Sequence, residues 1–94
     1  MSAAAVLEAA REPLAAAPRR WCIVTCEYPP LTGGVSDHTF QLARALAAAG
    51  DVVDVWCPPA AGTPPQLPGV SIHVLPSHFG RDALRVLGVA LRAL

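Results

Sequence analysis

Apolar residues group along the chain into three short runs and two helical stripes. Trp21 to Cys26 (WCIVTC) is an uncharged run of aromatic, β-branched and Cys residues. That pattern suits a strand buried on both faces, as in a parallel sheet. Val52 to Cys57 (VVDVWC), with Asp54 its only charge, and Val70 to Leu75 (VSIHVL) read as the second and third strands. Between the first two runs, Val35, Thr39, Leu42, Leu46 and Ala49 recur at spacings of three and four, which predicts a helix over 35–49. Ser36 is placed to cap its start, and Asp37 favours the dipole in its first turn. Gly50 is placed to end it in the left-handed conformation. Arg81 to Leu94 begins a second helix with Leu84, Leu87, Leu91 and Leu94 on one face, and the chain stops inside that pattern. Upstream, residues 1–19 form an Ala-rich leader, expected as an extension or frayed helix because Pro13 and Pro18 break its weak stripe.

The connections differ in kind. Glu27 to Gly34 (EYPPLTGG) joins a stiff half with two prolines to a permissive half with two glycines, which predicts a shaped loop. Pro58 to Gly69 carries five prolines and is too poor in donors to be a strand. Strand, Gly-rich loop, helix, strand implies a βαβ unit in an α/β fold, with the first two strands parallel and the third continuing outward from the second.

Composition narrows the function classes. The chain has 94 residues, 53% apolar and 15% charged, which suits a globular unit smaller than most domains. Seven Arg balance seven Asp plus Glu, and there is no Lys, so a nucleic-acid partner is not expected. No apolar run approaches the ~20 residues of a membrane span. The N-terminus lacks a basic leader, and Glu8, Arg11 and Glu12 interrupt it, so the expected location is cytoplasmic. The three cysteines cannot form a closed disulfide set. Cys22 and Cys26 in one strand would lie about 13 Å apart, and buried reduced thiols are expected, with Cys57 able to lie near Cys26.

In an open parallel sheet, ligands bind beyond the carboxyl ends of the strands. The 27–34 loop leaves that edge and feeds a helix start. Gly33 and Gly34 allow close backbone approach, and the amides of Val35, Ser36 and Asp37 are expected to face a phosphate or pyrophosphate. Neither G-x-G-x-x-G nor a phosphate-binding loop ending in Gly-Lys-Ser/Thr is present. The first absence disfavours a nucleotide-dependent oxidoreductase or epimerase.

The segments Glu27-Tyr28-Pro29-Pro30, Gly33-Gly34-Val35, Leu42-Ala43-Arg44-Ala45-Leu46 and Gly50 stand in one order over residues 20–58. In that order and spacing the chain resembles the N-terminus of family 4 glycosyltransferases. The resemblance implies a Rossmann-like parallel β-sheet with flanking helices over residues 20–94, a partial N-terminal domain of a two-domain GT-B enzyme. It implies transfer from a nucleotide-diphosphate sugar to a sugar or lipid acceptor, with retention and without a metal or other cofactor. By position, Gly33, Gly34 and Val35 would face the donor diphosphate, and Glu27, Tyr28, Asp37 and His38 would lie at the acceptor or cleft. No catalytic residue is identified, and the 94-residue chain alone is expected to be inactive. Asp51-Val52 departs from the family's usual His-Glu or His-Asp after the glycine, away from the cleft. The alternative is a truncated module that binds a nucleotide or a partner without catalysis.

Other candidates weigh less. Ser36-Asp37-His38 cannot form a hydrolytic relay, because adjacent helical residues point about 100° apart. Glu27 could meet an acceptor hydroxyl but is favoured as an anchor for loop amides, and Tyr28 as loop packing. Asp54 is expected to be exposed or paired with an arginine, His73 to sit on a strand face and His78 in a loop. No pair of His38, His73 and His78 has metal-ligand spacing. Arg81, Arg85 and Arg92 share a helix face approximately, which leaves peripheral membrane contact open.

Overall fold

A computed structural model describes residues 17–93. The expectations for the leader up to residue 16 and for Leu94 lie outside the described residues. The order is β1 (Arg20–Val24), α1 (Gly34–Ala48), β2 (Val52–Cys57), β3 (Val70–Val74) and α2 (Arg81–Arg92). The strands form one parallel sheet in the order β1-β2-β3. The chain is therefore α/β, with a small parallel sheet and flanking helices, as its periodicity predicts.

The boundaries moved for local reasons. β1 ends at Val24, two residues early, because a side chain takes over the hydrogen bonding. Thr25 Oγ1 donates to Glu27 O at 2.8 Å, and Glu27 N donates back to Thr25 Oγ1 at 3.2 Å, closing a turn. α1 starts one residue early, at Gly34, so Ser36 lies inside the first turn and does not cap it. Its side chain is fully buried, and Oγ donates to Leu31 O at 2.5 Å. The C-terminus follows the expected motif. Gly50 has φ 95°, Asp51 N donates to Leu46 O at 3.2 Å and Gly50 N to Ala47 O at 3.0 Å, which satisfies the last carbonyls.

One face of the sheet makes the core. Ala43 and Leu46 of α1 pack on Val53, Val55 and Cys57 of β2 and Val70 of β3, with Tyr28 of the loop closing one end. The buried stripe of α1 runs Ser36, Thr39, Ala43, Leu46, about 60° round from the predicted one, and leaves Val35 exposed. Asp51 pins the opposite rim. Its carboxylate accepts from Arg19 N and from Trp21 Nε1, both at 3.0 Å, tying the start of β1 to the turn after α1.

The second face is only partly covered, which corrects the expectation for β1 and its thiols. β1 is not buried on both faces, and Cys22 and Cys26 are exposed, so Cys57 alone is a buried thiol. The leucine stripe of α2 does not close over this face either: Ala83 is its one buried residue among those described, and Leu84 and Leu91 are exposed. A cavity of about 230 Å³ remains between the end of α2, at Ala90 and Leu91, and the strand residues Cys22, Trp56 and His73.

Asp54 organises this face. It is 6% exposed and accepts from Arg20 Nε and His73 Nε2, each at 2.9 Å, while Trp56 stacks on His73 at 4.3 Å. Burial pushes the Asp54 carboxyl up, but hydrogen bonds from His73 and Arg20, and their charges, outweigh it and hold the group below its ordinary 3.8. Its stabilisation is therefore complete above pH 3.8 and is lost as pH falls through the lower folded value. Asp54→Asn is expected to lower stability at neutral pH by about 1–2 kcal/mol. Denaturant titration at several pH values should show that the loss shrinks towards the acid end of the range. A loss that stays constant down to strong acid would contradict this assignment.

Candidate functional site

The loop between β1 and α1 lies at the carboxyl rim of the sheet, where parallel sheets take their ligands. Tyr28 turns inward and is 2% exposed, with its ring 6.2 Å from that of Phe40. It packs the loop and offers no face to a ligand. The Pro29–Pro30 peptide is cis, and Leu31 N donates to Tyr28 O at 3.0 Å. The Tyr28 hydroxyl is buried without a hydrogen-bond partner. Burial, and secondarily the Cys57 thiol, pushes its pKa up, and burial does the same to Cys57. A small cavity of about 70 Å³ sits beside them, between Pro29, Pro30, Pro58 and Pro64.

The two glycines play different parts. Gly33 has φ 153° and ψ 167°, a conformation that is essentially glycine's alone. A Cβ there would lie 2.1 Å from Glu27 Oε1. The missing side chain is thus the space in which the Glu27 carboxylate sits, and from it Oε1 accepts from Ser36 N at 3.3 Å. Gly34 is the reverse case, since a Cβ there meets nothing within 4 Å.

The set of helix-start amides left open is therefore smaller than the sequence implies. Asp37 N already donates to Gly33 O at 3.0 Å as the first helical bond, and Ser36 N faces Glu27. The amides of Gly34 and Val35 remain, at the positive end of the α1 dipole. Asp37 and His38 are exposed on the first turn and converge on no other candidate residue. No group of three or more His, Cys, Asp or Glu among the described residues could hold a metal.

No family model, curated protein or solved structure matches the chain. What the loop does must therefore be argued from its own residues.

Sequence reading missed two of the residues that shape this region. Ser36 was legible as a cap, but its true role depends on Gly33 starting the helix early. Asp51 follows the helix-ending Gly50, and a carboxylate between a helix stop and a strand start was its only signal.

Two substitutions separate the glycines. Gly33→Ala is expected to cost about 1–3 kcal/mol, through backbone strain and expulsion of the Glu27 carboxylate. Gly34→Ala should leave stability unchanged or raise it by up to about 1 kcal/mol, because alanine favours the helix and the space is open. Urea unfolding of both variants checks this, and equal costs would refute the division of roles. In the same assay Tyr28→Phe should be neutral or stabilising by about 1 kcal/mol, since it removes a buried hydroxyl that has no partner.

Proposed function

We propose that the chain takes part in glycosyl transfer from a nucleotide-diphosphate sugar, with the Gly33-Gly34-Val35 turn meeting the donor's diphosphate. The observation that carries this reading is the open ground at Gly34. It lies at a helix N-terminus on the carboxyl rim of a parallel sheet, and no atom beyond its chain neighbours and the local helix backbone comes within 4 Å of where its side chain would be. The order of motifs that resembles family 4 glycosyltransferases supports it.

On this reading the contribution of the loop is electrostatic. As the bond between sugar and diphosphate breaks, negative charge gathers on the leaving group. The Gly34 and Val35 amides and the α1 dipole are fixed in advance to receive it. Such donors cost no reorganisation at the moment of reaction. The acceptor would approach the same rim past Asp37 and His38, and no metal is required. Glu27 sets a condition on binding: its carboxylate holds the Ser36 amide, so a diphosphate that takes all three amides must move it aside.

Calorimetric titration of the chain with uridine, guanosine and adenosine diphosphates tests the proposal. Gly34→Ala folds normally but puts a methyl where the phosphate would come closest, and affinity should fall about tenfold or more. Glu27→Gln removes a like charge, and affinity should rise about two- to fivefold. Unchanged affinity in Gly34→Ala would show that the turn does not meet the diphosphate.

A further inference from the structure

The face of the sheet turned away from α1 gathers polar chemistry in one place. Side chains alternate along each strand, so Trp21, Ile23, Val53 and Val55 go to the core beneath α1. Arg20, Cys22, Asp54, Trp56 and His73 go to the other face, where they line the cavity of about 230 Å³ roofed by Ala90 and Leu91 of α2. At about 30 Å³ per molecule that space holds about seven waters, or one six-membered ring with a small substituent.

The hydrogen-bonding capacity of this cavity is lopsided. Its one carboxylate is in use: Asp54 Oδ2 accepts from Arg20 Nε and Oδ1 from His73 Nε2, each at 2.9 Å. Arg20 commits only Nε to that pair, and its side chain is 63% exposed. Among the described residues its two Nη groups have no hydrogen-bond partner, and neither has the indole Nε1 of Trp56. Donors are therefore in surplus. The rest of the wall is apolar, made by Ala90, Leu91 and the Trp56 ring, which stacks on His73 at 4.3 Å.

We propose that this cavity binds a small aromatic carboxylate, its carboxylate forked by the Arg20 Nη groups and its ring held between Trp56 and Leu91. A guanidinium edge matches the planar, two-oxygen shape of a carboxylate, and its charge strengthens both hydrogen bonds. A flat ring takes the apolar wall out of water. Other small ligands fit less well. Inorganic phosphate would meet Arg20 but leave the apolar wall bare. A sugar needs acceptors for its hydroxyls, and the one carboxylate is already in use. A metal ion finds no ligand set, because no group of three His, Cys, Asp or Glu among the described residues could hold one. The cavity lies across the sheet from α1, so the proposal does not depend on what the Gly33-Gly34 turn binds.

Calorimetric titration of the chain with benzoate tests it, and a dissociation constant on the order of 1 mM is expected for so few atoms. Benzamide has nearly the same shape without the charge and should bind about tenfold more weakly or worse. Arg20→Lys keeps a cation beside Asp54 but loses the fork, and should weaken benzoate about tenfold. Leu91→Trp fills the space under α2 from a position that is 44% exposed, and should abolish binding. Bound benzoate should also slow alkylation of Cys22, which lines the cavity, and leave that of the exposed Cys26 unchanged. Circular dichroism establishes that both variants keep their helices. Absence of benzoate binding by both measurements, equal affinity for benzamide, or full affinity in either variant overturns the proposal. So does equal protection of the two thiols, because benzoate would then lie elsewhere.

Discussion

At the carboxyl rim everything is arranged around a carboxylate meeting a helix start. The first amides of α1 have no partner within the helix, and one of them, Ser36 N, is satisfied by Glu27 from nine residues upstream. For Glu27 to reach it, the chain must pass Gly33 with no Cβ in the way, at a φ of 153° that other residues resist. The turn at Thr25 aims Glu27, and the buried ring of Tyr28 holds the loop between them against the core. Shift any of these and the helix loses its cap. The same arrangement leaves the Gly34 and Val35 amides bare, so this opening at the rim is a by-product of how the helix is capped.

The sheet that carries this rim has unlike faces, and the difference traces to its middle strand. Val53, Val55 and Cys57 of β2 point to α1 and need only shape to be satisfied. Asp54 points the other way and needs donors. Arg20 and His73 supply them from both neighbouring strands, so the carboxylate crosslinks β1 and β3 through β2. An apolar residue at 54 could not do this, and a carboxylate without both neighbours would be left buried and unpaired. The pairing also fixes register, because a slip of one residue would turn Asp54 into the valine core.

Most of this architecture is legible in the sequence. The runs at 52–57 and 70–74 and the stripe of α1 are strong local signals, and Gly50 marks the end of the helix. What escapes is whatever depends on a partner distant in sequence. The run WCIVTC reads as doubly buried from its composition, but the exposure of Cys22 is decided by what lies over β1. The stripe Leu84, Leu87, Leu91 reads as one apolar face, but the buried residue of α2 among those described is Ala83. The pair Gly33-Gly34 reads as a single signal of freedom. Only coordinates divide it into one glycine that makes room for a protein carboxylate and one that faces open space.

Charge on this molecule is neutral in total and segregated in detail. Among the described acids, Asp51 is engaged by Arg19 and Trp21, Asp54 by Arg20 and His73, Glu27 by the α1 amide, and the exposed Asp82 by Ser77. Each is held by a fixed donor, which sets where its charge sits. The arginines of α2 are not held in this way. α2 carries Arg81, Arg85 and Arg92 together with the exposed Asp82, and α1 adds a positive helix end at the rim. At the rim the bare amides at the start of α1 lie beside Glu27, a carboxylate that the protein itself supplies.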